Sequence, residues 1–285
     1  MEQKYINSAL NYTGSKFKLL DQILPEMDYT KEYFIDLFCG SGVVGFNVID
    51  KYKKILINDI IKDLIGIHKG IINNPIVFID KVKSLVVSKD DQDGFNELRK
   101  NYNDKNSPEG LYSLLLCCNN NALRFNQKGK FNQTFGRRTF SDSTQKKLDE
   151  FITHISKYSE KIFYSNNNFY KINPTKPSMI YCDPPYGYCM DNNGNISNKQ
   201  VSEAGYNSTW SQKDDIELYN YILKLDKNKH SFMISGVIEH DNKKSWIVNK
   251  LIQDKFNYKK LNCNYNGISH KGDKETNEVI IFNYL

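Results

Sequence analysis

The feature that most constrains the fold of this chain is one short stretch, Ile180-Tyr181-Cys182-Asp183-Pro184-Pro185-Tyr186. Met179 to Cys182 is an apolar run that reads as a buried strand, and it stops at an acid, two prolines and an aromatic. Proline has no N–H to donate and a fixed φ, so it does not continue a central strand. The chain must therefore leave the sheet at Asp183. In open α/β sheets, ligands sit outside the carboxyl ends of the strands. The turn thus offers the Asp183 carboxylate, the Pro184 carbonyl and the Tyr186 ring to one small space. Two acceptors and a flat face suit a planar, amine-bearing group such as a nucleobase. The plainer reading is a proline turn carrying a solvated aspartate.

The segment from Phe34 to Val48 tests that choice. Phe34 to Phe38 is another buried-strand run, and Gly40-Ser41-Gly42 with Gly45 gives G-x-G-x-x-G, followed by an apolar helical pattern. A glycine turn between a strand and a helix allows the backbone to approach a cofactor closely. Ile55 to Ile57 is a second strand ending at Asn58-Asp59, and Asp59 falls about 20 residues after the glycine turn, where a carboxylate can bind ribose hydroxyls. Asp59 also reads as a helix N-cap, and the two roles are compatible. The turn contains no lysine and no G-K-[ST], so a cofactor with adenosine but no phosphate fits better than a nucleoside triphosphate.

Composition narrows the class. The chain has 285 residues with 39% hydrophobic and 25% charged, and reads as a soluble globular protein of one or two domains. No apolar run approaches the ~18 residues of a membrane span. The first ten residues, polar and mixed in charge, do not read as a signal peptide. Six cysteines (39, 117, 118, 182, 189 and 263) form no C-x-x-C pair and no metal-ligand spacing with histidine, so no metal is expected. They read as reduced, mostly buried thiols of a cytoplasmic protein. The net charge is only +6, but it is concentrated: Arg124, Lys128, Lys130, Arg137, Arg138, Lys146 and Lys147 face the single acid Asp142 between Cys117 and Lys147. Such a block is the footprint of a phosphate-binding surface, or else a solvated basic face.

Along the rest of the chain, Tyr12-Thr13-Gly14-Ser15-Lys16 is a polar turn leading to an amphipathic stretch that Pro25 halts. Lys62 to Asn106 is helical and charged, with Gly66, Gly70 and Pro75 as breaks and a loop over Asp90–Asp93, and Leu111 to Leu116 is a further helical piece. Gln127-Lys128-Gly129-Lys130 reads as the turn of a hairpin. Its flanks are rich in the Asn, Gln and Arg side chains that pair with base edges. Leu148 to Tyr158 is a helix, Ile162 to Ser165 a strand, and residues 187–209 a mobile polar loop. Ser211 caps a helix to Leu225, and Ser231 to Ser235 is a strand ending at Gly236. Lys244 to Phe256 is a helix, and a closing hairpin joins Tyr258–Tyr265 to Glu278–Tyr284 through a connector with His270, Lys271 and Lys274.

Taken in order, Y-T-G-S-K, D-L-F-C-G-S-G, N-D, F-N-Q-T-F-G-R-R, Y-C-D-P-P-Y and E-V-I-I-F-N-Y resemble the Dam-type DNA adenine methyltransferases (D12 class, alpha group), the small phage members most closely. The resemblance runs over nearly the whole chain. It implies an α/β fold: a Rossmann-like, S-adenosylmethionine-dependent methyltransferase sheet with an inserted, mainly helical target-recognition domain carrying a β-hairpin. The catalytic domain would be residues 1–62 and 148–285, and the recognition domain 63–147. It implies S-adenosylmethionine as cofactor and double-stranded DNA as partner, a monomer or weak dimer, and a possible companion restriction endonuclease.

The resemblance also implies roles. Tyr12 and Lys16 would lie along the cofactor, Phe38, Gly40, Ser41 and Gly42 would shape its pocket, Asp59 would bind the ribose, and Phe169 would lie against the adenine. Asp183, Pro184, Pro185 and Tyr186 would be catalytic, acting on the N6 amine of a flipped-out adenine, and Asp183 would also border the cofactor. Asn119, Asn120, Asn121, Ala122, Arg124, Asn126, Lys128, Lys130, Asn132, Gln133, Thr134, Arg137 and Arg138 would contact DNA, with Ser269, His270 and Lys271 on its backbone. Asn119, Asn120 and Ala122 replace an aromatic-serine pair and a methionine of the small relatives, and Thr134 replaces a proline. The target is therefore GATC or a variant of it. The alternatives are an RNA adenine or cytosine-N4 acceptor, and a non-catalytic DNA-binding protein on the same scaffold.

Overall fold

The computed structural model describes residues 5–201, 210–262 and 277–285. Strands β1 (Tyr33–Asp36), β2 (Lys54–Asn58), β3 (Ile162–Ser165), β4 (Ser178–Cys182), β7 (Ser231–Val237), β10 (Asn257–Lys260) and β11 (Glu278–Phe282) form one seven-stranded sheet. Its order is β10-β11-β7-β4-β1-β2-β3. Every neighbour from β7 to β3 is parallel, while β11 runs antiparallel between β7 and β10. This is the methyltransferase-type α/β sheet that the resemblance implied.

The alternation of side chains explains why both faces are covered. In β4, Met179 and Tyr181 join the core on one face, and Ile180 and Cys182 the core on the other. Phe232, Met233 and Ile234 of β7 alternate in the same way. Strands buried on two faces read as continuous apolar runs, which is why they were legible. Helices α8 (Gln212–Lys227) and α9 (Trp246–Gln253) cover one face. Ser211 caps α8 through a capping box: its Oγ accepts the Asp214 N–H, and the Asp214 carboxylate accepts the Ser211 N–H.

The other face carries α1 (Leu20–Ile23), α2 (Val43–Asn47) and the long insertion between β2 and β3. The insertion holds α3 (Lys62–Asn73), α4 (Pro75–Leu85), α5 (Gln92–Asp104), α6 (Pro108–Cys117) and α7 (Asp142–Ile155). Its apolar interior, including Ile67, Phe78, Phe95 and Leu114, continues without a break into the sheet face at Phe34, Ile57 and Met179. Gly66 and Gly70 do not break α3. They clear room for neighbours, because an added Cβ would stand 2.4 Å from the Pro108 ring and 2.2 Å from the Phe78 ring. Pro75 does end the run, as the first residue of α4.

Other expectations need correction. The Lys16–Glu26 region is a chain of short helical turns, with Pro25 inside the last. Helix α5 begins at Gln92, because Asp91 caps it by accepting the Gly94 N–H. Strand β7 runs through Gly236 to Val237, since its partner β11 pairs that far. Helix α9 starts at Trp246, because Lys243 and Lys244 form β9, paired with β8 (Glu239–His240). The stretch taken as a loop after the central motif contains a hairpin, β5 (Tyr188–Met190) and β6 (Ile196–Gln200), turned at Gly194. Residues 202–209 lie outside the described residues. Cys39, Cys117, Cys118, Cys182 and Cys189 are buried free thiols.

Candidate active site and nucleic-acid interface

Strand order reverses between β1, which leads to β2, and β4, which leads to β7. The carboxyl ends of β1 and β4 thus flank a topological switch point, where α/β sheets open a crevice. Leu37 extends the pairing by donating its N–H to Tyr181 O at 2.9 Å. The chain then turns through Gly40 (φ +49°) and Gly42 (φ +71°). The Tyr12 ring covers Gly40 so closely that a Cβ there would stand 3.1 Å from it. The glycine turn opens on a short helix: α2 has only five residues.

Asp59 does not cap a helix; α3 begins at Lys62, after Ile61. Its carboxylate instead accepts the Ile61 N–H at 2.9 Å and the Gly40 N–H at 3.0 Å. His68 of α3 meets the other side of the same turn, with Nε2 2.9 Å from Gly40 O. A carbonyl only accepts, so Nε2 carries the proton, and burial lowers the imidazole pKa to about 4, leaving the ring neutral. Asp59 and the first helix of the insertion therefore clamp both backbone polar groups of Gly40.

At the end of β4, Asp183 Oδ2 lies 2.7 Å from the Lys16 ammonium. Burial raises the Asp183 pKa and the Lys16 charge opposes that rise, so the lysine favours the ionised acceptor. Asp36, at the end of β1, is a functional candidate that the sequence reading missed. Its Oδ2 accepts the Gly45 N–H at 3.1 Å, while Oδ1 is buried without a partner among the described residues. Burial, reinforced by Asp183 and Asp59, raises its pKa to about 8. Asp183 is marked by the prolines that end its strand, whereas Asp36 lies inside the run Phe34 to Phe38; its sign is an acid within an apolar strand, a group that burial must compensate.

These groups line one cavity of about 850 Å³. Tyr12, Lys16, Phe38, Gly40, Ser41, Asp59, Phe169, Asp183, Pro184, Pro185 and Tyr186 are all on its wall. Gly42 is not; it sits behind the wall, its α-carbon against the Phe46 ring. Phe38, Phe169 and Trp210 form an aromatic side, with ring centroids 5.4 to 5.8 Å apart. Trp210 and Asn168, whose buried Oδ1 lacks a partner among the described residues, also went unread. Trp210 follows a polar stretch that carries no local signal for it, whereas Asn168 was visible as part of an asparagine run.

The far end of the cavity reaches Phe125, Asn126 and Gly129 of the insertion. The expected hairpin is there in reduced form, as isolated bridges Phe125–Phe131 and Cys118–Phe135 and no regular strand. It is pinned to α5, because Asn103 exchanges two hydrogen bonds with the Phe131 backbone and Phe95 stacks on Phe135. Several proposed base readers are already engaged. Asn121 is buried, accepts from Arg138 at 2.6 Å and donates to Leu115 O at 2.7 Å. Asn126 Oδ1 accepts the Lys128 and Lys130 N–H groups of the turn, and Arg124 donates to Asn132. Gln133 Oε1 accepts the Thr134 N–H, and Ala122 is half-buried. Asn119, Asn120, Lys128, Lys130 and Arg137 are exposed, and Asn120 and Arg137 hold left-handed φ of 55° and 52°. Ser269, His270 and Lys271 lie outside the described residues.

A profile of the D12 class N6 adenine-specific DNA methyltransferases matches residues 12–266, which takes in the polar turn, the glycine turn, the insertion and the proline turn. The chain belongs to this family. It is 33% identical to the modification methylase StsI of Streptococcus sanguinis, over 99% of this chain and 43% of that protein. It is 31% identical to the type II methyltransferase M.FokI of Planomicrobium okeanokoites, over 98% of this chain and again 43% of the relative. The chain thus spans less than half the length of these relatives. It is also 28% identical to the type II methyltransferase M.MjaIII of Methanocaldococcus jannaschii, over 98% of this chain and 99% of that one. Among the described residues, no helix is long and apolar enough to cross a membrane.

Proposed function

We propose that this chain transfers a methyl group from S-adenosylmethionine to the N6 amine of an adenine flipped out of duplex DNA, at GATC or a related short site. The observation that carries this reading is the Asp183 carboxylate, paired with Lys16 at the switch point of the sheet and bordering a cavity that runs from the glycine turn to the insertion. The cofactor fits the residues present. Asp59 suits ribose hydroxyls, Phe38, Phe169 and Trp210 suit a flat purine, and the Gly40 turn admits close backbone approach. Apart from Asp36, the wall carries Asp59, Asp63, Asp183 and Asp214 against Lys16 and Lys62, a surplus of carboxylate that favours a cationic ligand. Bound there, S-adenosylmethionine supplies an electrophilic methyl group on a sulfonium.

The chain's own residues do the rest. Flipping costs a few kcal/mol of unstacking, which the Tyr186 ring offsets by stacking on the base. Asp183 and the Pro184 carbonyl accept the two amine hydrogens and turn the nitrogen lone pair away from the ring. Lys16 favours the ionised form of Asp183, which leaves its oxygens as acceptors. This is catalysis by positioning and fixed charge. Residues 63–147 serve as the recognition unit, with Asn119, Asn120, Lys128, Lys130 and Arg137 free to face DNA. A companion restriction endonuclease is part of the proposal, since the relatives are a modification methylase and type II methyltransferases.

Long-read modification mapping of DNA incubated with the protein and S-adenosylmethionine tests this reading. N6-methyladenine at one short motif is expected. Unmodified DNA, with the cofactor still bound in calorimetry, would overturn DNA as substrate and direct the same assay to RNA.

A further inference from the structure

Immediately after the catalytic turn, Gly187 is buried against Asp215, a residue of α8 that is 1% exposed. An added Cβ at Gly187 would stand 2.0 Å from Asp215 Oδ1, so only hydrogen fits between turn and carboxylate. The two carboxylate oxygens face different elements. Oδ2 accepts the Tyr188 N–H at 2.6 Å, two residues beyond Tyr186. Oδ1 accepts the Trp210 indole N–H at 2.9 Å, and that indole packs on Phe38 and Phe169 in the aromatic wall. The Tyr188 hydroxyl returns to Trp210 O at 3.4 Å, closing the ring of contacts. No ion pair involving Asp215 forms among the described residues; its partners are two N–H groups.

We propose that Asp215 is a positioning residue that ties the exit of the Asp183–Tyr186 turn to the aromatic wall, coupling the base side of the site to the cofactor side. This builds on the function proposed above. An ionised carboxylate accepts at both oxygens. A protonated one must turn its O–H toward one of the two N–H donors, and that contact opens. Burial raises the Asp215 pKa to about 6, against the pull of the two N–H groups. The titratable groups facing it are Asp214 on the same helix and the Cys189 thiol of β5, which in turn sits near Lys199 and Lys243. The tie is therefore closed above about pH 6 and opens below it. Stability runs the other way: the folded value lies above the ordinary 3.8, so folding favours the protonated form as pH falls through that window. An acid loss of function from this source comes without unfolding.

The test uses Asp215→Asn, which sets an amide NH2 against one of the two donors at every pH. In a Trp246→Phe background Trp210 is the sole tryptophan. Its emission in the cofactor-free protein is expected to titrate near pH 6 with Asp215 and to be flat with Asp215→Asn. For methyl transfer, Asp215→Asn is expected to lower kcat/KM by up to about 100-fold, the cost of misplacing reacting groups by about 1 Å, while melting at an unchanged or higher temperature. Trp210→Phe, which removes the indole N–H, is expected to lower kcat/KM as well, and the double variant is expected to lose no more than the larger of the two single losses, as residues of one tie must. Identical pH titrations in the two proteins, or unchanged turnover and cofactor affinity in Asp215→Asn, overturn the proposal. The emission titration needs no activity, so it stands even where the methyltransferase reading fails. If Asp215→Asn does not fold, the single-tryptophan protein with Asp215 in place decides: emission from Trp210 that stays flat on either side of about pH 6 overturns the proposal.

Discussion

Gly42 and Gly129 have the same backbone angle, φ +71°, yet they sit in two differently built regions. At Gly42, behind the glycine-turn end of the cavity, an added Cβ would stand 2.3 Å from the buried Phe46 ring. At Gly129, in the turn of the insertion, nothing lies within 4 Å. The same contrast runs through the neighbouring residues. Asp59, His68, Lys16 and Asp183 are held from several directions by groups distant in sequence. The tip of the hairpin is held mainly by its own turn, and its left-handed Gly129 faces solvent. Chemistry needs one geometry kept to fractions of an ångström, which buried contacts supply. Reading a target needs exposed, exchangeable side chains on a pinned base.

The largest effect expected is at the buried end. Asp183→Ala should lower methyl transfer by on the order of 10³-fold or more, with S-adenosylmethionine affinity changed far less, as read by single-turnover kinetics and calorimetry. Retained turnover would remove Asp183 from the chemistry. The paired glycines give the most direct comparison of the two regions. Gly42→Ala combines left-handed strain with overpacking and should destabilise by about 3 kcal/mol, whereas Gly129→Ala bears the strain alone, about 1 kcal/mol. Equal losses in urea unfolding would mean that packing at the glycine turn counts for little.

Lys16→Met should cost about 2 kcal/mol at about pH 8, less than a fully buried pair because Asp183 is 21% exposed. The Asp183 pKa is already above its ordinary 3.8 and rises further without the lysine. The penalty is therefore largest where the carboxylate must be ionised and shrinks as falling pH protonates it. Unfolding curves at about pH 8 and about pH 5 should converge toward the wild type at the lower pH. The smallest effect on stability is expected at the hairpin of the insertion. Arg137→Gly should change stability by less than about 0.5 kcal/mol, since relieved strain and added chain entropy oppose each other. It should still reduce the salt dependence of DNA binding by about one phosphate contact. Unchanged salt dependence would place Arg137 off the DNA.

Much of the scaffold was legible because its signals are local. Buried parallel strands show as apolar runs, the glycine turn needs glycine at its positive φ, and proline must end β4. Asp183 was visible for that reason, and so was the Ser211 cap. Asp36 lacked that sign, because apolar residues continue on both sides of it. Gly66 and Gly70 misled, because a glycine that breaks a helix and one that admits a neighbour look alike in one dimension. The hairpin of β5 and β6 was taken for a loop because its residues are polar and its pairing is short.

By itself, then, the sequence determined the α/β class, the positions of the two turns that open the site and the basic, amide-rich character of the insertion. These follow from chain stereochemistry and from the periodicity of burial. Only the tertiary structure decided which charges meet. Lys16 reaches Asp183 across 167 positions, and the exposed Arg138 is turned onto the buried Asn121. Such pairings depend on the crossing of elements far apart in the chain. No local pattern encodes them, because a lysine, an arginine or an asparagine is equally compatible with solvent until the fold places a partner beside it.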